Sequence, residues 1–209
     1  MKAKISIATS IAASAALTFM AVTPANAEEA TPMSATTSSY APDCLAQVEA
    51  HPEAGLSTTD CLVTNTVQVD DSFVPTATDI STSALSAEDK AEILSRKARG
   101  AITAKHWSQF TTGAAYTRTH NGTFYYDGSR VWVATTTSGY TGSHQCFTNY
   151  SVGFNLTGTA CNESGSTSAR NLYSAWDVNP NGTPIVYNVS MTATVKANGT
   201  ISGYGATVG

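Results

Sequence analysis

The sequence predicts a mainly β protein: an antiparallel β-sandwich or barrel-like domain over about residues 101–209, preceded by a helix over about 86–99 and a flexible, acidic N-terminal region. Three observations carry this. From Ile185 to Val195 the residues Ile185, Tyr187, Val189, Met191, Ala193 and Val195 alternate with Val186, Asn188, Ser190, Thr192 and Thr194, the period of a half-buried strand. From Ala101 onward the chain is punctuated by Asn121-Gly122, Asp127-Gly128, Asn181-Gly182 and Asn198-Gly199, pairs that favour tight hairpin turns. Ahead of them, one segment beginning at Ser86 switches to helical spacing.

In chain order, Lys2 and Lys4 precede an uncharged run from Ile5 to Val22 and then Pro24-Ala25-Asn26-Ala27. A basic start, an apolar run and a small-x-small end spell a secretory signal peptide over 1–27, cleaved after Ala27. Residues 28–42 are rich in Thr, Ser and Ala and read as a flexible spacer. Residues 43–85 read as a small acidic, disulfide-containing region with a Thr/Ser-rich connector from Val74 to Leu85; Asp43 to Gly55 has the character of a short helix, and Cys61 to Val69 that of an extended segment. Over 86–100, Ser86 is placed to cap a helix, Glu88 and Asp89 occupy its first turn, Arg96, Lys97 and Arg99 its end, and Gly100 its left-handed stop. Ala87, Ala91, Leu94 and Ala98 would form its docking face.

Charge divides the chain. Twelve acidic residues against Lys90 alone lie between Glu28 and Glu92, whereas eight bases against three acids follow from Arg96. Neither part is dense enough to argue for nucleic acid. The four cysteines, Cys44, Cys61, Cys146 and Cys161, favour two disulfides in an exported chain. Neighbour pairing is the choice among three connectivities; it requires the strand-like Val152, Phe154 and Leu156 segment to double back tightly between Cys146 and Cys161.

If Asn121-Gly122 and Asp127-Gly128 are two-residue turns, a meander follows in which Tyr116, Arg118, His120, Tyr125, Arg130 and Trp132 share one face. Aromatic planes interleaved with guanidinium groups suit sugar rings, bases, carboxylates or phosphates, which makes these six the ligand-binding candidates. The alternative is cover: arginines lying across aromatics on a solvated sheet or beneath the Ser86 helix. His106, His120 and His144 with Cys146 have no usual zinc spacing. Ser143, His144, Asp127 and His120 offer triad atoms without a nucleophile motif, and there is no Gly-x-Ser-x-Gly or Gly-rich phosphate loop. No catalytic residue, metal or other cofactor is expected.

Phe124-Tyr125-Tyr126-Asp127-Gly128-Ser129-Arg130-Val131-Trp132-Val133 followed by Gly139-Tyr140-Thr141-Gly142-Ser143-His144-Gln145-Cys146 resembles a group of small secreted proteins of high-GC Gram-positive bacteria, over about Thr111 to Ser202. The resemblance implies a secreted β domain of no established function and carries over no catalytic residue. A bacterial origin would also leave the seven Asn-x-Ser/Thr sequons unglycosylated.

The sequence reading is therefore an exported, non-enzymatic β-domain protein binding a cell-wall polymer, glycan or secreted protein through the arginine–aromatic face, with no nucleic-acid partner and no membrane association after signal cleavage. A second reading is a secreted antimicrobial or inhibitor kept latent by an acidic pro-segment and released by cleavage after Arg99. A third is a secreted hydrolase.

Overall fold

The computed structural model describes residues 33–133 and 144–208; the signal segment with its Ala27 cleavage point, and Ser143, lie outside the described residues. Among the described residues ten strands and three α-helices follow one another: β1 (Met33–Tyr40), α1 (Pro42–Ala50), β2 (Leu62–Val69), α2 (Ala77–Thr82), α3 (Ala87–Ala98), β3 (Thr103–Thr112), β4 (Tyr116–Tyr126), β5 (Val131–Trp132), β6 (His144–Ser151), β7 (Phe154–Gly165), β8 (Ala169–Pro180), β9 (Tyr187–Lys196) and β10 (Ile201–Val208). All strand pairs are antiparallel. Sheet A runs β1-β2-β3-β4, with β5 and β6 both pairing along β4; sheet B runs β10-β9-β8-β7. The two pack face to face as a sandwich.

Alternation explains the packing. In β9 the expected inward set, Tyr187, Val189, Met191, Ala193 and Val195, is buried. Across from it, Val63, Val67 and Val69 of β2 and Trp107 of β3 fill the space from sheet A. Two apolar clusters result. One gathers Val63, Tyr116, Trp176, Val178 and Tyr187 beneath α1, which Cys44–Cys61 ties down; the other gathers Val67, Trp107, Phe124, Leu172 and Val195. Between them runs a buried polar band that includes Asn65, Gln109, Thr111, Arg118, His120 and Ser174. Gln109 Nε2 spans it, donating to Asn65 Oδ1 at 3.0 Å in its own sheet and to the Gly205 carbonyl at 3.0 Å in the other.

Both neighbour disulfides are present. Cys146–Cys161 joins β6 of sheet A to β7 of sheet B, with Cα atoms 5.9 Å apart. The required doubling back is a corner at Val152-Gly153, where Gly153 takes φ 75° and the chain changes sheets.

Several expectations are corrected. Within the 28–42 stretch read as a flexible spacer, Met33–Tyr40 is the edge strand β1, paired residue for residue with β2. Its Thr/Ser composition, poor for a helix, suits an edge where hydroxyls pair across strands: Thr36–Thr66 at 3.0 Å and Ser38–Thr64 at 2.9 Å. The connector contains α2, capped by Thr76, which accepts from the Asp79 amide at 3.1 Å. The division near residue 101 does not separate the sheet from what precedes it, because β2 pairs with β3 from Thr64–Thr112 to Val69–Trp107. A cut after Arg99 would leave β1 and β2 hydrogen-bonded to the sheet.

Asn121-Gly122 is not a turn: it lies inside the continuous strand β4, pairing with Ser108 and Trp107 on one side and Gln145 and His144 on the other. Asp127-Gly128 belongs to a four-residue loop, Asp127–Arg130, so that Tyr125 pairs with Trp132 and not with Arg130. Asp127 Oδ1 organises that loop by accepting from the amides of Ser129 and Arg130 at 2.9 and 2.7 Å.

Helix α3 has the expected ends. Ser86 Oγ accepts from the Asp89 amide at 3.1 Å, Arg99 is the exposed C-cap, and Gly100 has φ 71°. Its docking face differs: Ala87, Ala91, Leu94 and Ala98 are exposed, and Ile93 is the buried residue. The side facing the sheet is largely charged.

Candidate functional site

The continuity of β4 divides the six expected face residues between two places. Tyr116, Arg118 and His120 point inward between the sheets and are buried. Burial pushes the Tyr116 phenol well above its ordinary value. His120 is fully buried, its ring edge-on to Trp107 at 4.6 Å, so it is neither a surface nor a turn histidine. Tyr125 and Trp132 lie on the outer face of sheet A, but Ile80 of α2, Ile93 of α3 and Leu85 of the link between the two helices cover them.

Arg130 joins that cover. Its guanidinium and that of Arg96 each stand 5.1 Å from the Trp132 ring centroid. Arg130 donates to Glu92 at 2.7 Å and to Asp89 at 3.3 Å; Arg96 pairs with Glu92 at 2.8 Å and with Asp127. Burial by itself would raise the Glu92 carboxyl, but the Arg96 hydrogen bond and the Arg130 charge outweigh it and hold the group below the usual carboxylate range. Asp127 is likewise lowered: amides and the hydroxyl of its loop, together with Arg96, overcome its burial. The arrangement is a clamp holding a helix on a sheet, the covered alternative and not an open binding face. Beside it, a cleft of about 370 Å³ is bounded by Leu85, Trp132, Val133, Arg130 and Arg170, with Arg170 bound to Glu163 at 2.6 Å.

The other chemistry-bearing residues are dispersed. Cys146 is disulfide-bonded and cannot serve as a thiolate ligand. Asp127 faces Arg96 while His120 sits in the core, so these two do not form an Asp–His pair; the side chain of His144, like Ser143, lies outside what is described. His106 stacks on Phe73 at 4.7 Å and shares a 2.7 Å hydrogen bond with Thr123.

A different surface emerges from the register. Beyond the part covered by α2 and α3, the outer face of sheet A is partly exposed, with Thr119 buried among its neighbours, and contains no Asp, Glu, Lys or Arg across three successive rows of paired residues. One row reads Ser38, Thr64, Thr112, Thr117 and Tyr150; the next Thr36, Thr66, Phe110, Thr119 and Phe147; the third Ser34, Gln68, Ser108, Asn121 and Gln145. Several of the hydroxyls are held by their neighbours, as in Thr112–Thr117 at 3.2 Å and Thr119 to Asn149 at 2.5 Å. Among the described residues the exposed large aromatics are Tyr40 at 49%, Phe147 at 39% and Tyr150 at 50%, and the register puts all three on this face. The outer face of sheet B is also rich in Thr, Asn and Ser, yet no large apolar side chain in its strands is exposed.

Sequence reasoning missed this surface because it depends on β1 and β2 joining β3, and on β6 pairing with β4. The local signal was available in part: Phe147 and Tyr150 flank Thr148-Asn149 in a segment with no charge. Comparison of the chain with family models, curated proteins and solved structures finds no match.

Proposed function

We propose that the protein is an exported β-sandwich module that binds a neutral extracellular or cell-wall polysaccharide on the partly exposed outer face of sheet A. The observation that carries this reading is the coincidence of Tyr40, Phe147 and Tyr150 on one uncharged, hydroxyl- and amide-rich face. A pyranose ring presents C–H groups on its faces, which suit an aromatic plane, and hydroxyls on its rim, which suit Thr, Ser, Asn and Gln. Four strand spacings separate β1 from β6, so Tyr40 and Tyr150 stand roughly 20 Å apart, room for several sugar residues in a row. A neutral polymer loses no ionic hydration on such a surface.

Export is supported by two disulfides, which persist in oxidising compartments, and by the signal-like order of residues 1–27. Among the described residues no helix is long and apolar enough to cross a membrane. A bacterial cell-wall setting follows from the resemblance and belongs to the same proposal. The latent-effector reading gains no support from the pairing of β2 with β3, since an acidic segment that supplies two strands is a poor removable shield.

The test is retention on insoluble polysaccharides and isolated cell walls. The double substitution Phe147→Ala, Tyr150→Ala should weaken retention about tenfold, each aromatic contributing on the order of 0.5–1.5 kcal/mol, while Tyr173→Ala on the other sheet leaves it unchanged. No retention of the native protein on any such polymer, or equal retention of the double variant, overturns the proposal.

A further inference from the structure

Arg118 is buried to 7% exposure, and among the described residues no carboxylate lies within ion-pair distance of it. The other partly buried arginines differ: Arg96, Arg130 and Arg170 are matched with acids, while Arg99 is exposed at the end of α3. Arg118 Nη1 donates to Thr148 Oγ1 at 3.0 Å, and its guanidinium carbon stands 5.3 Å from the Trp176 ring centroid. Its Nε is buried with no hydrogen-bond partner among the described residues. Burial pulls the guanidinium down, yet arginine does not give up its proton in a protein. A desolvated cation answered by one hydroxyl and an aromatic face is an incomplete arrangement.

The local backbone is shaped around this group. The β4–β6 ladder shifts register between Thr117 and Arg118, and the β7–β8 ladder shifts between Gly158 and Ala160. Bulges of this kind re-aim side chains at sheet edges. A Cβ at Gly158 would stand 2.9 Å from Arg118 Nη2, so the absence of a side chain there gives the guanidinium its space. Thr148 and Gly158 are themselves exposed, which puts the group one layer beneath solvent where the edges of the two sheets meet.

We propose that Arg118 is an oxyanion-binding site at the β6–β7 edge, taking a carboxylate, sulfate or phosphate group. With Nη1 held by Thr148, Nε and Nη2 remain, and they form one edge of the fork, the geometry that receives two oxygens of such a group side-on. The site is independent of the polysaccharide face, which lies on the opposite side of β4 and β6.

Titration of the native, disulfide-intact protein tests it, following the arginine Nε–Hε NMR resonances with sodium sulfate, phosphate or acetate against sodium chloride at matched ionic strength. The Arg118 resonance, assigned by through-bond experiments, should shift and saturate with at least one oxyanion and not with chloride. Sulfate and phosphate against acetate separates a tetrahedral from a carboxylate ligand. No saturable shift with any of the three overturns the proposal. In a parallel thermal melt, the responding anion should raise the midpoint of the native protein more than that of Arg118→Met; an equal rise in both is a general salt effect and also overturns it. Should Arg118→Met not fold, Gly158→Val, which crowds Nη2, replaces it in the melt and should show the same diminished rise. Phe147→Ala, Tyr150→Ala should keep the full anion response, so failure here and failure of the polysaccharide reading are distinguishable.

Discussion

Gln109 shows how a single buried side chain joins the two sheets. Its Nε2 serves Asn65 Oδ1, which is buried, and the Gly205 carbonyl, which is partly buried. Gln109→Leu keeps the approximate volume but leaves both without this donor. A loss of about 1–3 kcal/mol is expected, read from the urea midpoint; an unchanged midpoint would show that the bridge contributes nothing net. The polar band was only partly legible in the sequence. Asn65 stands at an inward position between Val63 and Val67, so alternation alone assigns it to the core face. The Asn121-Gly122 pair, by contrast, carries a strong local turn preference that its neighbours override. Strands β3 and β6 pair with β4 on both sides at this point, and a turn there would forfeit those hydrogen bonds.

Helix α3 separates what local chemistry specifies from what tertiary contacts decide. Its cap and its stop are encoded by residues within the segment, and both are as expected. Its docking face is not. Alanines at helical spacing pack or tolerate water almost equally well, whereas Glu92 and Arg96 find their partners in Arg130 and Asp127, 38 and 31 residues further along. The orientation is therefore set by a loop whose length and register the sequence did not reveal. Ile93→Ala should cost about 2–5 kcal/mol, while Leu94→Ala, on the face sequence periodicity favours, should stay within roughly 0.5 kcal/mol of the native protein. Thermal or denaturant midpoints of the two variants decide the matter, and a reversal would mean that the helix docks by its alanine side.

Across the molecule, fold class, disulfide pairing and the alternation of β9 were readable because each depends on short-range pattern or on a count. The membership of β1 and β2 in sheet A was not, since Thr- and Ser-rich segments resemble spacers until a neighbouring strand supplies their hydrogen bonds. The candidate surface was lost with them. Strand order adds a consequence for how the chain matures. Sheet A takes β1 to β4 from residues 33–126, while sheet B starts at Phe154, so the apolar inner side of the first must wait for the second to be delivered. The disulfides divide along the same line. Cys44–Cys61 and Cys146–Cys161 close loops of nearly equal length, 17 and 15 residues, so closure entropy barely distinguishes them. What each needs in place does: α1 and the start of β2 for the first, both sheets in apposition for the second. In oxidative refolding from the reduced chain, trapped and mapped by mass, Cys44–Cys61 should appear ahead of Cys146–Cys161; the reverse order would place sheet apposition earlier than α1 docking. The second crosslink thus serves as a timestamp, recording the moment at which the two halves of the sandwich first meet.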